Sequence, residues 1–582
     1  MRFLVRDIIV LISIQILFII VYYAIYPLHA PMSGYFMIDD ITTYFWALYA
    51  ATLLYHLLLL DKPFVISRPL QITLTYTLLY LCSLRTFASL HFTGFMGSDS
   101  PNYVGLTQYW ISHDKVDLTK VGYGDNPGLF ILSKMIISVI NIDTNLYTIL
   151  IGITWITIVY LIFRLITKSY TVSYEVNQAM NHNYKQLLYT IAPSIATLSY
   201  FNLAVPFMVN FQYSPQTFAL VLLLIFFLIL ISFLRRLEDL RSFTLISLIY
   251  ATLLISHSFM FLFCLSTITL LNLIKLTNKL NSPLPTLYEK SSNLRILLLT
   301  MIVLSLTYIF YQTTLLQRRL GEIVKNILEA FKLEIPIWHF ERLATPASPT
   351  ESNYYIVSVA HSITWIIIVL FLAFPTVKTL ISKDSKYYEL SIIFSSLIIS
   401  LLFMNPTLQE FTIRAGQVLL FGIILLAIRG MVNVNYWHRT CILNHIMRIL
   451  MIVLVISSLL ATIRYTWYTQ PPHLSPHDMI IVNTLNNKID NNCVFKILSK
   501  NALSVFYYSR NYGNLIFYSS PIFLAFEKHF AIEEYDLILW DRLLPYELFK
   551  YTGNELQLDM LLNQGNVVIN TNGIIVIRVL IG

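Results

Sequence analysis

The stretch "YSPQTFALVLLLIFFLILISFLRR", residues 213–236, decides the class of fold. Its apolar run carries no charge until Arg235 and Arg236, and a helix over 215–233 has about the 20-residue length that crosses a roughly 30 Å hydrocarbon core. The run opens as helices open: Ser214 stands where a side-chain cap is wanted and Pro215 at the first helical position.

The rest of the chain repeats that pattern. Of its 582 residues 57% are hydrophobic and 12% charged, with 37 Phe and 38 Tyr, and the mean hydropathy is +0.67. A soluble domain of this size could not hide so much apolar surface, so the composition describes a polytopic integral membrane protein. The net charge of +8 does not point to nucleic acid, because the basic residues lie in short clusters between apolar runs, as charges that set topology do. Cys82 and Cys264 lie inside apolar runs, Cys441 in a basic loop and Cys493 near the C-terminus, so no spacing suggests zinc or a disulfide framework.

The N-terminal run following Arg2 and Arg6 is long enough to span a bilayer and reads as an uncleaved first helix. Apolar runs predict crossings near 8–27, 41–60, 70–90, 146–166, 187–204, 215–233, 242–256, 258–275, 295–313, 354–373, 389–404, 414–431 and 448–465, about thirteen in all. With Arg2 and Arg6 cytoplasmic, the loops that fall inside carry Lys62 and Arg68, Lys168 and Lys185, Arg235, Arg236 and Arg241, then Lys275 to Arg295, Lys378 to Lys386, and Arg429, Arg439 and Arg448. An odd count leaves residues 466–582 outside. Two long outside loops, 91–145 and 314–353, complete the membrane domain of 1–465.

The tail, 466–582, changes character after "YTQPPHLSPHD". Short strand-like runs alternate with helical stretches, and Asn572-Gly573 separates two β-branched runs as a hairpin turn does, which predicts a small extracytoplasmic α/β domain.

This layout brings polar groups to one membrane face. Asp39 and Asp40 end the first outside loop, while Asp99, His113, Asp114 and Asp125 lie on the second. Tyr213 and Gln216 lie at the third outside turn, His257 at the fourth and Arg414 near the top of a late helix. Each has a plainer reading: "SDSPNY" can cap a helix that starts at Pro101, "YGDNPG" at 123–128 is turn chemistry, Arg414 can snorkel, and His257 can sit in a hairpin turn. An ionisable group at membrane depth is costly and points to function, but a hairpin turn would relieve that cost, so both readings of His257 stand level.

In combination, the Asp99 loop, "YSPQTFALVLLLIFFLIL", "ATLLISHSFMFLF" and "FTIRAGQVLLFGIILLAIRG", followed by a soluble tail, resemble archaeal and bacterial members of the GT-C glycosyltransferase superfamily, relatives of protein mannosyltransferases and lipid A aminoarabinose transferases. The resemblance covers nearly the whole chain through short motifs. It implies an enzyme that takes a sugar from a polyprenyl, dolichyl-type phosphate or diphosphate and transfers it, with inversion, to a protein, lipid or glycan at the outer face of the cell membrane. It also implies an acidic base on an early outside loop, matched by position to Asp99, with Asp39, Asp40 and Asp125 as alternatives. The tail holds only Trp540-Asp541 of the Trp-Trp-Asp-Tyr-Gly signature of oligosaccharyltransferases, which argues against that branch.

Such a transfer needs a carboxylate for the acceptor proton, donors aimed at the departing phosphate, and a greasy groove for the prenyl chain. Asp99 fits the first need; Arg414, His257 and Gln216 fit the second. Tyr103, Tyr109, Trp110 and Tyr123 offer rings for sugar stacking. Serines rather than a second carboxylate flank Asp99, which leans toward a reaction without a metal, with Mg or Mn as the open alternative. The competing classes are a transporter or flippase of a lipid-linked sugar, and a non-catalytic scaffold. Transporters tend to carry internal repeats and midplane polar groups, neither of which the sequence displays.

Overall fold

The structure, a computed structural model, describes residues 126–142, 144–175, 213–235, 240–257, 260–281, 290–311, 352–381, 387–402 and 409–432, parts of 103–111, 192–200 and 449–460, and strands between 495 and 578. The expected crossings at 8–27, 41–60 and 70–90, and nearly all of the loop 314–353, lie outside the described residues.

Among the described residues the helices are α1 (Gly128–Ile140), α2 (Thr144–Glu175), α3 (Pro215–Arg235), α4 (Leu240–Ser256), α5 (Met260–Asn281), α6 (Lys290–Tyr311), α7 (Ser352–Ile381), α8 (Tyr387–Leu402) and α9 (Gln409–Val432). Apart from α1, each covers most of an apolar run. Several extend past it, because hydropathy marks where a helix is oily and not where its backbone bonding stops. Thus Lys168, Arg295, Lys378 and Arg429, counted above as loop charges, stand within α2, α6, α7 and α9. Arg414, expected at a helix start, is in the second turn of α9.

Helix α1 is the element the apolar count passes over. It lies inside the segment read as the loop 91–145 and its 13 residues are too short to span a bilayer. It ends at Asn141, which takes the left-handed conformation (φ 53°) that Asn tolerates at a helix terminus.

Ring contacts give the helix directions. Phe226 meets Tyr250 and Phe233 meets Phe243, so α3 and α4 run antiparallel. Trp155 packs on Phe218 and Tyr147 on Tyr213, while Phe227 stacks on Phe421 at 5.8 Å and Phe163 touches Phe421. Farther along α9, the Arg429 guanidinium lies over the Tyr170 ring of α2. Helices α2, α3 and α9 therefore run parallel, with their N-termini at one end of the bundle. Phe163, Phe226, Phe227 and Phe421 are fully buried at its centre.

Among the described residues three helical segments, Pro215–Leu234, Ser362–Ile381 and Arg414–Val432, are long and apolar enough to cross a membrane. Helix α7 identifies the solvent it faces. Ile356, Val359, Ile363, Ile366, Leu370, Phe374, Val377 and Ile381 are all exposed and recur every three or four residues, so the outward stripe is apolar. A helix in water shows the reverse arrangement, and this one belongs to a membrane-embedded bundle.

In the tail, β1 (Phe495–Ile497) pairs in parallel with β2 (Leu515–Phe517). Strands β3 (Ile538–Asp541), β4 (Asn566–Asn570) and β5 (Ile574–Arg578) form an antiparallel sheet in the order β3-β5-β4. Asn570 pairs with Ile575, so β4 and β5 are the two arms of the hairpin that Asn572-Gly573 signals.

Candidate functional site

The site builds from the first turn of α3. The Ser214 hydroxyl accepts the Thr217 backbone N–H at 3.1 Å, and the amide of Phe218 closes the first helical bond onto the Ser214 carbonyl. This cap fixes where α3 begins and so places Gln216 on its opening turn. From α9, Arg414 donates through Nη2 to Gln216 Oε1 at 3.2 Å. Arg414 is 8% exposed, with buried Ala415, Gln417 and Val418 beside it in sequence. A cation is costly to hold there, and a polar partner together with an anionic ligand would offset that cost. The parallel N-termini of α2, α3 and α9 lie at this end, each the equivalent of roughly half a positive charge, so the local field favours an anion.

Behind this pair stands a buried cluster of hydroxyls. Tyr213 OH lies 2.7 Å from Thr107 Oγ1 and 2.6 Å from Ser133 Oγ, and Tyr147 OH donates to Ser133 at 3.2 Å. Tyr213 is 4% exposed, and burial pushes its phenol well above the ordinary value against the lowering effect of the two hydroxyl partners. It therefore acts as a neutral hydroxyl and not as a phenolate.

His257 follows the last residue of α4, its backbone amide bonded to the Leu253 carbonyl, and its side chain is half-buried. The start of α1 is seated here: Gly128 lies so close to Ser256 Oγ that a Cβ could not be accommodated without movement. Only glycine permits that approach. Beside it, Tyr308 of α6 donates to Asn126 Oδ1 at 3.4 Å. The "NPG" of the expected turn is thus the joint between α1 and the end of α4. Because α4 is antiparallel to α3, this joint is at the same end of the bundle as Gln216 and Arg414.

Of the residues picked out from sequence, the structure joins Arg414 to Gln216 and places Tyr213 and His257 at that same end. Tyr103 is buried against Phe130, with ring centroids 6.4 Å apart, and its carbonyl accepts from Thr107. Asp99, Asp39, Asp40, Asp125, His113 and Asp114 lie outside the described residues. Among the described residues no group of three His, Cys, Asp or Glu side chains could hold a metal ion. Sequence reasoning missed Thr107, Ser133 and Tyr147. Each is a polar residue in an apolar segment with nothing local to mark it, and only the fold reveals that they converge.

No protein-family model and no curated protein matches the chain. Among solved structures it is similar to the crystal structure of ArnT from Cupriavidus metallidurans bound to undecaprenyl phosphate, with 8% sequence identity, a TM-score of 0.44, and coverage of 86% of this chain and 97% of that one.

Proposed function

We propose that this chain is a membrane glycosyltransferase that moves a sugar from a polyprenyl phosphate or diphosphate carrier to an acceptor at the outer membrane face. The observation that carries the reading is the part-buried contact between the buried Arg414 and Gln216, where three helices present their N-termini. A phosphate held at the end of an apolar tail suits a cation set into a membrane bundle near its edge.

In this reading the acceptor hydroxyl oxygen attacks the anomeric carbon of the sugar, from the side opposite the phosphate. The bond from that carbon to the phosphate oxygen breaks, and the phosphate leaves with the electron pair. Asp99 takes the acceptor proton. Arg414 and Gln216, with His257 at the same end of the bundle, receive the charge that gathers on the leaving phosphate. Donors fixed in place before the reaction stabilise that charge with no rearrangement at the moment of transfer. About thirteen crossings, a cytoplasmic N-terminus and a C-terminal domain outside the membrane fit this orientation.

The test is sugar transfer by the purified protein in lipid, supplied with a panel of radiolabelled polyprenyl-phosphate sugars and a crude membrane acceptor. Wild type should turn over, whereas Asp99→Asn should bind donor without transferring it. Donor binding with no turnover by the wild type would point to a transporter or scaffold instead.

A further inference from the structure

The Tyr213 hydroxyl, from the residue pair preceding α3, touches both the helical residues of 103–111 and α1. Thr107 donates its own proton to the Tyr103 carbonyl at 2.9 Å, and Ser133 donates to the Leu129 carbonyl at 2.7 Å. The single phenolic proton is then shared between two acceptor oxygens, at 2.7 and 2.6 Å. Three residues later comes Gln216, whose amide oxygen receives Arg414. Across the same turn Ser214 and Thr217 are bonded to one another, side chain to side chain at 2.9 Å. Residues 213–217 therefore form one capped turn that carries a buried anchor at Tyr213 and the Arg414 partner at Gln216.

We propose that Tyr213 is a positioning residue, whose hydroxyl holds the first turn of α3 against α1 and the 103–111 segment so that Gln216 keeps Arg414 aimed at the donor phosphate. The inference rests on the reading of Arg414 and Gln216 as the donor-phosphate site. Tyr213 itself touches no substrate: its ring is buried and its hydroxyl is engaged within the protein.

The experiment measures dolichyl phosphate binding by the full chain in nanodiscs, for wild type, Tyr213→Phe, Gln216→Ala and the double variant, all at a temperature where each remains folded. Tyr213→Phe keeps the ring, and Thr107 and Ser133 keep their backbone acceptors, so the fold should survive. Its affinity should fall by roughly tenfold, the scale of one hydrogen bond. In the double variant the loss should be no larger than in Gln216→Ala alone, because both changes act through the same side chain. Unchanged affinity in Tyr213→Phe, or losses that add, would overturn the positioning role while leaving the donor site intact. A wild type that does not bind dolichyl phosphate would instead overturn the proposed function, and this inference with it.

Discussion

The buried Glu389 and the part-buried Arg429 form an ion pair at 2.9 Å, at the opposite end of α9 from Arg414. One guanidinium nitrogen reaches both carboxylate oxygens, at 2.9 and 3.0 Å, and the Tyr170 hydroxyl donates to the same carboxylate at 2.7 Å. The guanidinium also lies 5.8 Å from the centroid of the Tyr170 ring. Two arginines on one helix thus stand in different settings: Arg429 bonds a carboxylate, and Arg414 bonds the Gln216 amide where three helices present their N-termini. The first arrangement fastens α2, α8 and α9 together, and the second lies where the helix dipoles favour an anion.

Removing the carboxylate should therefore destabilise the bundle without touching the site. Glu389→Ala strands a largely buried cation, for which the cost is up to about 3–5 kcal/mol, while Tyr170→Phe loses a hydrogen bond to a charge, about 1.5–3 kcal/mol. Unfolding in detergent should rank the variants in that order. Donor affinity of the folded fraction should match wild type, and a large change in it would contradict a purely structural role.

At the other end the expectation reverses. Arg414→Ala should lower kcat/KM for sugar transfer by about 10²–10³, the scale seen when one preorganised donor to a developing negative charge is removed. Arg414→Lys should recover only part of the loss, because a point charge does not reproduce the planar fork that can bond Gln216 and a phosphate together. Equal activity of all three proteins in a transfer assay would remove Arg414 from the site.

The sequence was legible where the cause is local. Ser214 and Pro215 announce the start of α3 because the cap is made within four residues, and Asn572-Gly573 announces the hairpin of β4 and β5 for the same reason. Apolar runs located the described helices α2 to α9, but not their ends, where backbone bonding continues through polar residues. Helix α1 was missed because it is short, so a length threshold set by the bilayer passes over it. The Tyr213 cluster and the Glu389–Arg429 pair were out of reach, because Tyr213 is 106 residues from Thr107 and Arg429 is 40 from Glu389. No periodicity encodes which polar residues meet across such separations.

The joint between α1 and α4 gives a sharper steric test. A methyl group at position 128 would collide with Ser256 Oγ, so Gly128→Ala should push α1 away from the turn that carries His257, at a cost of about 1–3 kcal/mol. Adding Ser256→Ala removes the oxygen it strikes, together with that oxygen's bond to the Thr252 carbonyl. The double variant should unfold at a higher temperature than Gly128→Ala alone. Two independent, additive losses would mean that the two residues do not meet.

Two glycines of α9 should respond in opposite directions. A Cβ on Gly430 would run into the backbone carbonyl of Pro375 and lie 2.7 Å from Thr379 Oγ1, whereas a Cβ on Gly416 meets nothing within 4 Å. Thr379 cannot easily move aside, since its hydroxyl is bonded to the carbonyls of Pro375 and Leu426 at 2.9 and 3.0 Å. A carbonyl oxygen, unlike a flexible side-chain tip, can yield only if helix α7 shifts as a whole. Gly430→Ala should therefore destabilise by about 1–3 kcal/mol, or more if α7 separates. Gly416→Ala should stabilise by up to about 1 kcal/mol, since alanine loses less backbone freedom in a helix interior. Thermal unfolding of the two variants in the same detergent decides the matter: shifts of the same sign would show that α7 and α9 do not approach backbone to backbone at Pro375.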